Sequence, residues 1–348
     1  MIKTIAITGA TGFLGRCLVK DLAAAGHKVK ALTRNKCTAP FGENDSVKLV
    51  QIDWDNAASV KAAVSDCDFV VHCAAAHPSR TLRGKESIIN FNVGGTKKLL
   101  EALGQVKRLV MVSSMRALIN KHSGGIFDED SRYDFERFDT PYGYSKFLSE
   151  QVCVEFCRQH GISFTIINPV PIIGPDDFGP SPNGRFILSF LKGRFVCAVK
   201  SNYGFVDVRD VSAAVQKILF ADSPKERYVL CAANWPLRAY IEKIHQLAKV
   251  RKTIVEVPLS LAYLLGYFFE LAQAVKPSID IPVVRSSVEF AALNPVFKGD
   301  KIKELGFAYI DPDKTLQDSV AWLLENYPPA GLKNLYKKDN CENLLSGN

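Results

Sequence analysis

The sequence has no block of like charge. Its 348 residues carry a formal net charge of +8, and the 44 Lys and Arg are spread along the chain. A nucleic-acid binder concentrates its basic residues on one stripe, so no nucleic-acid partner is expected. The nine cysteines have no repeating spacing. Cys153 and Cys157 stand four apart on a predicted helix, but no His or Cys pair completes a metal site there. An odd, scattered set of thiols points to reduced cysteines and a cytoplasmic setting. A secretory leader is not expected either, because Met1 leads straight into an apolar run that reads as a strand. What remains is an ordinary globular composition, 47% apolar and 23% charged. The length suits one large α/β domain with an added lobe, or two domains.

That first apolar run, Ile2 to Thr8, opens into Gly9-Ala10-Thr11-Gly12-Phe13-Leu14-Gly15 and then a helical pattern at Cys17, Leu18, Leu22 and Ala25. A strand, a glycine turn and a helix N-terminus are the parts of a dinucleotide-phosphate site. Gly9 allows the tight turn, Gly12 lets backbone approach a pyrophosphate, and Gly15 lets the helix pack close to the strand. The free N–H groups and the positive end of the helix dipole then face the phosphates. Taken alone, the same pattern also fits an ordinary strand–turn–helix.

The chain downstream alternates strand and helix. Strands are predicted at Val29–Leu32, Val47–Ile52, Phe69–His72, Leu109–Val112 and Phe164–Ile167. Helices are predicted at Ala57–Val64, Glu86–Leu103 and Tyr144–Arg158. Short apolar strands alternating with helices argue for an α/β fold, a doubly wound parallel sheet of Rossmann type covered on both faces. Residues 1–170 are assigned to this domain, with parts of 195–235 completing its sheet. A Pro- and Gly-rich loop after Pro169 leads into a smaller C-terminal substrate lobe, 171–328, and a polar tail, 329–348.

Three residues carry candidate chemistry. Tyr142 and Lys146, four apart at a helix start, share one face. Tyr144 points away from it. A phenol with a reference pKa of about 10 is a poor base at neutral pH, and a nearby ammonium favours the phenolate. Ser114 ends a buried strand, where its hydroxyl can hold a substrate oxygen while Tyr142 gives or takes the proton. Singly, each reads as a surface pair or a strand-end Ser. Their order after the glycine turn gives them meaning.

In these motifs the chain resembles the extended short-chain dehydrogenases/reductases, over most of its length. The glycine signature is Thr8 to Gly15, the His-x-Ala-Ala strand end is His72-Cys73-Ala74-Ala75, and the Asn-Val-x-Gly-Thr motif is Asn92-Val93-Gly94-Gly95-Thr96. The resemblance makes Ser114, Tyr142 and Lys146 the catalytic set, with Lys146 also on the nicotinamide ribose. It implies cofactor contacts at Gly9, Thr11, Gly12, Phe13, Leu14, Gly15, Asp53, Trp54, Ala74, Ala75, Asn92 and Pro169, with Asp53 against adenine. NAD enzymes place an acid after the second strand, but here Ala31-Leu32-Thr33-Arg34 has none. Arg34 can pair with a 2′-phosphate, so NADP(H) is the expected cofactor and NAD(H) the alternative. Asp21 cannot serve, because it falls within the first helix.

Within that family the substrate reading favours reductases of hydrophobic alcohols and ketones, similar to 3β-hydroxysteroid dehydrogenases and dihydroflavonol reductases. Nucleotide-sugar epimerases usually carry an Arg where this chain has Tyr203, and Asn168-Pro169 through Gly174-Pro175 resembles the reductase branch. The alternatives are an epimerase/dehydratase with tightly bound NAD and a non-catalytic NADP(H) sensor. Pro258–Val275 is almost wholly apolar, interrupted by Glu270. It reads first as a helix buried in the small lobe, next as a membrane-surface or lipid-pocket helix, and last as a span, since a Glu within it is costly. Peripheral membrane contact through 258–275 therefore stands beside the cytoplasmic expectation. The family often forms homodimers, for which the residues give no separate warrant.

Overall fold

A computed structural model describes residues 1–34, 41, 45–76, 85–120, 122–133, 140–275 and 285–329. The short apolar runs of the first half are strands of one sheet. They are β1 (Thr4–Thr8), β2 (Lys28–Thr33), β3 (Val47–Gln51), β4 (Phe69–His72), β5 (Arg108–Val112), β6 (Ser163–Pro169) and β7 (Arg227–Leu230). All neighbours are parallel, in the order β7-β6-β5-β4-β1-β2-β3. The chain runs outward from β1 to β3, then returns to β4 on the other side of β1. The carboxyl ends of β1 and β4 therefore flank the switch point, where such sheets bind ligands.

The inner strands are largely apolar on both faces because helices cover both. The first six helices are α1 (Phe13–Ala24), α2 (Ala57–Val64), α3 (Lys85–Ala102), α4 (Pro141–Gln159), α5 (Pro182–Phe190) and α6 (Val208–Phe220). Ile5 and Ile7 of β1 pack under Leu18 and Leu22 of α1 and Val211 and Val215 of α6. Ala6 between them faces the opposite core, with Val64 of α2, Leu99 of α3 and Cys153 of α4. Asp21 is spent on this architecture, accepting from Ser212 Oγ at 2.6 Å across the α1–α6 joint.

Helix α4 starts earlier than the expected Tyr144. Thr140 caps it, its Oγ1 accepting from Gly143 N–H at 3.2 Å, and Pro141 occupies the first turn. Tyr142 is thereby held in the first helical turn rather than in a loop.

A third core gathers Ile173, Ile187, Phe205, Tyr240, Ile244, Leu316 and Val320. It surrounds a small sheet of Ala233–Pro236, Asn202–Asp207 and Ile172–Ile173. Helices α7 (Leu237–Leu247), α8 (Leu259–Val275), α9 (Arg285–Ala292) and α10 (Pro312–Asn326) follow. The stretch 195–235 serves both sheets, since Asn202–Asp207 lies in the small one and β7 in the large one. Residues 330–348 of the expected tail lie outside the described residues.

Helix α8 is not the buried helix expected first. Among its described side chains only Ala262 and Gly266 are buried. One side packs on α9, where Glu270 and Arg285 pair at 2.6 Å and the Arg285 guanidinium sits 5.3 Å from the Tyr267 ring centre. The other presents Leu261, Leu264, Leu265, Phe268, Leu271 and Val275 to the outside. That spacing is one continuous helical row. Among the described residues, no helix is long and apolar enough to cross a membrane.

Candidate active site

The turn after β1 shows what two of its glycines are for. Gly9 has φ +67°, and a Cβ there would meet Ala74 N at 2.9 Å. A Cβ on Gly15 would lie 2.1 Å from the Gly9 carbonyl oxygen, so only glycine lets α1 sit this close to the turn. Gly12 has an ordinary φ of −78°; it caps α1 without any side-chain hydrogen bond and is exposed. The first N–H groups of α1 are thus left to a ligand, as a phosphate cradle requires. Thr11 and Phe13 flank this opening. Two of the expected contact residues have another job. The Leu14 side chain is in the core, and Gly15 is a packing glycine, so both can offer a ligand only backbone.

Across the switch point a closed polar network ties β1 to β4. Thr8 Oγ1 accepts from Ala74 N–H at 3.1 Å and lies 2.8 Å from His72 Nδ1. His72 Nε2 lies 3.1 Å from Thr96 Oγ1, which itself donates to the Asn92 carbonyl. Only one arrangement satisfies every member: Thr8 donates to Nδ1, and Nε2–H donates to Thr96. Burial accordingly pushes the His72 pKa down to about 3. Asn92, expected as a cofactor contact, braces the chain in this structure. Its Oδ1 accepts from Ala76 N–H at 2.7 Å, and its Nδ2 donates to Ala76 O and to Ser145 Oγ. It fixes the segment after β4, where Ala74 and Ala75 lie, against helix α4.

Ser114, Tyr142 and Lys146 come together beyond the end of β5. Ser114 caps the short turn Met115–Leu118, its Oγ accepting from Arg116 N–H at 3.2 Å. The Ser114 hydroxyl also hydrogen-bonds the Tyr142 phenol. Burial raises the Tyr142 pKa, opposed by that hydrogen bond and by the Arg116 charge. The expected pull of Lys146 on the phenol thus has Arg116 as its visible source. Lys146 is buried and donates to the Val112 carbonyl at 2.8 Å. Burial pushes its ammonium down to about 8, against the attraction of Glu150 one turn further along α4.

Sequence reasoning missed the support beneath Ser114. Asn168 Nδ2 donates to the Ser114 carbonyl at 3.0 Å and to Glu150 Oε1 at 2.6 Å. Arg227 of β7 donates to Asn168 Oδ1 at 2.7 Å and pairs with Glu150 at 2.8 Å. Three groups from three elements therefore fix the serine from below. The Lys-to-Glu spacing on α4 was a readable signal, but the Asn168 and Arg227 contacts span too much chain. Pro169 follows Asn168 as the buried last residue of β6.

The adenosine end lies at β2 and β3. Arg34 is exposed directly after β2, its guanidinium 5.0 Å from the Phe91 ring centre. Asp53 is exposed after β3, its Oδ1 accepting from Asp55 N–H at 2.9 Å. Trp54 packs partly against the α2–α4 core. Among the described residues, no group of three or more His, Cys, Asp or Glu could hold a metal.

A phosphate-ready turn at a switch point, with a proton-transfer group on the same edge, is what hydride transfer to or from a dinucleotide demands. The fold and site define the class: an NAD(P)-dependent oxidoreductase on a doubly wound sheet. Residues 5–231 match the NAD dependent epimerase/dehydratase family, and the chain belongs to it, within the extended short-chain dehydrogenase/reductase superfamily. It is 29% identical over 329 residues to sterol demethylase protein B of Methylococcus capsulatus, covering 92% of this chain and 98% of that one. It is 28% identical to cinnamoyl-CoA reductase 1 of Arabidopsis thaliana, covering 93% and 90%. A solved nucleoside-diphosphate-sugar epimerase from Pseudomonas aeruginosa shares the fold at 21% identity, with a TM-score of 0.75 over 94% of this chain and 99% of that one.

Proposed function

We propose that this enzyme interconverts a ketone and a secondary alcohol on a bulky hydrophobic substrate, with NADP(H) preferred. The observation that carries the reading is the Ser114–Tyr142 hydrogen bond at the carboxyl edge of the sheet. Nicotinamide, when bound, supplies or accepts the hydride. Ser114 holds the substrate oxygen, Tyr142 transfers its proton, and Lys146 orients the ribose and balances charge. The relatives named cinnamoyl-CoA reductase and sterol demethylase support the apolar substrate class. Arg34 at the end of β2 supports NADP(H), since a guanidinium there suits a 2′-phosphate. Tyr142→Phe tests the assignment. Turnover should fall by roughly 10²–10⁴, while NADPH affinity stays near that of the native enzyme. Retained turnover sinks the proton-transfer role. Co-purified NAD, with sugar inversion and no net cofactor use, marks an epimerase instead.

We infer also that the exposed row of α8 rests on an anionic lipid surface. The strand pair leading into α8 sets exposed Phe195 beside Thr253. The exposed cations Lys192, Arg194 and Arg251 flank it, so apolar and basic surface adjoin.

A further inference from the structure

The proton-transfer scheme leaves one half-buried cation without a task. Other arginines drawn into the fold have partners. Arg108 Nη1 donates to the carbonyls of Ile218, Leu219 and Ala221, Arg209 clamps Asp207, and Arg227 pairs with Glu150. Arg116 has no carboxylate partner among the described residues. Its guanidinium lies over the Phe290 ring, 4.1 Å from the centre. The phenols of Tyr142, Tyr203 and Tyr133 lie near enough to act on its charge. Burial pushes its pKa down to about 10, which still leaves it cationic at neutral pH.

Its backbone is fixed. Arg116 N–H donates to Ser114 Oγ, and a Cβ on Gly143 would stand 3.2 Å from Arg116 O and 3.4 Å from Arg116 Cβ. The charge is therefore held beside the Ser114–Tyr142 pair. Stacking on Phe290 occupies one face of the guanidinium and leaves its N–H edges. A cation drawn partly out of water is destabilised unless an anion answers it.

The other walls identify which ligand answers. Phe290 belongs to α9 and Tyr203 to the strand Asn202–Asp207, both beyond Pro169. None of these neighbours comes from the glycine turn or from β2, where a dinucleotide's phosphates belong. The charge thus faces the substrate side of Tyr142. One guanidinium beside tyrosine hydroxyls matches a monoanion, whereas a phosphate dianion calls for a second cation.

We propose that Arg116 binds a carboxylate of the substrate, close to the carbonyl that Tyr142 serves. The substrate is then an apolar keto acid or its hydroxy acid. This rests on the oxidoreductase reading and narrows it.

The test uses full-length enzyme saturated with NADPH. The probes are 2-oxo-2-phenylacetate, 4-oxo-4-phenylbutanoate and 5-oxo-5-phenylpentanoate, each with its methyl ester. Each is followed by NADPH oxidation and by the rise in Tm that it gives the NADPH complex. At least one acid should surpass its ester by about tenfold in kcat/KM or in affinity. That preference should collapse in Arg116→Met and survive in part in Arg116→Lys. A Tm rise with NADPH alone shows that each variant is folded, and the acid-to-ester ratio is a readout that a merely structural role would not move. Equal response to acid and ester in the native enzyme, including no response to either, overturns the proposal. So does a preference that persists in Arg116→Met. Esters reduced without acid preference sink this inference alone, whereas acids bound but nothing reduced sinks the oxidoreductase reading.

Discussion

The two sides of Tyr142 are built differently. On the cofactor side, buried polar groups close on one another: Thr8, His72, Thr96, Asn92 and Ser145 each find partners within the chain. On the substrate side, Arg116 is charged without a carboxylate partner among the described residues, and Tyr240 keeps a buried hydroxyl with no hydrogen-bond partner. Helix α8 exposes a row of large apolar side chains. The first side holds its polar side chains already braced around the open N–H groups of α1, and the second keeps side chains that are met only by what binds there. Preorganisation suits the constant ligand of such an enzyme, while unmet charge and apolar surface mark where the variable one is recognised.

The sharpest way to break the closed side is at Gly15. In Gly15→Ala the new Cβ would stand 2.1 Å from Gly9 O, so α1 or the turn must move. Overpacking of this kind costs about 1–3 kcal/mol, and it displaces the uncapped N–H groups from the phosphates. NADPH affinity should fall about tenfold for each 1.4 kcal/mol of lost contact. The matched control is Gly94→Ala on α3, where a Cβ meets nothing within 4 Å. There helix propensity predicts a gain of about 0.5–1 kcal/mol. Equal fluorescence titrations for the two variants would mean that the turn does not hold the cofactor.

A second, smaller effect concerns the His72 lock. Its folded pKa, about 3, lies below the ordinary value near 6.5. Folding therefore keeps the ring neutral, and only the unfolded chain takes up the proton below about pH 6.5. The stabilisation is fully present above 6.5 and is lost as pH falls toward 3. Between pH 6.5 and 4.5 the difference is about 2–3 kcal/mol at 1.36 kcal/mol per unit. Urea midpoints should drop with acid in the native enzyme and drop less steeply in His72→Gln. The same slope in both would assign the acid sensitivity to other groups.

How much of this was legible in the sequence follows from the range of each interaction. Strand runs such as Phe69–His72 were read correctly because their signal is local. Gly9 and Gly15 were legible for the same reason, since a turn and its neighbouring helix span few residues. The start of α4 was misread because Thr140 and Pro141, a cap and a first-turn proline, were not weighed against apolar spacing. Asn168, Glu150 and Arg227 meet only after the sheet closes, and no local pattern joins them. Helix α8 shows another limit. A segment apolar on every face carries no periodicity to say which side is covered, so burial and exposure read alike.

Cofactor choice sharpens the comparison at the edge of the closed side. Arg34 is exposed and its stack on Phe91 leaves guanidinium edges for a phosphate. Arg34→Ser should weaken NADPH by about ten- to a hundredfold, the size of a charge-assisted hydrogen bond of 1.5–3 kcal/mol. NADH, lacking the 2′-phosphate, should change far less. Parallel titrations that weaken both alike would remove Arg34 from phosphate recognition.

The smallest change in stability is expected on the open side. Leu264 and Phe268 are 50% and 57% exposed, so the double change Leu264→Glu with Phe268→Glu removes little packing. Each should alter stability by less than about 0.5 kcal/mol. Ala262, 5% exposed on the same helix, is the contrast, and Ala262→Glu should lower Tm clearly because a carboxylate is forced into buried space. If the row rests on lipid, native protein should float with vesicles of phosphatidylcholine and phosphatidylserine, and the double variant should not. The anionic lipid should matter, and added salt should weaken the association, because exposed Arg194 and Arg251 flank the strand pair that leads into α8. Flotation that is absent in the native protein, or unchanged in the double variant, would leave the exposed row without a lipid partner. Membrane contact would then drop out, and the contrast between the two sides would rest on Arg116 and the acid-to-ester ratio.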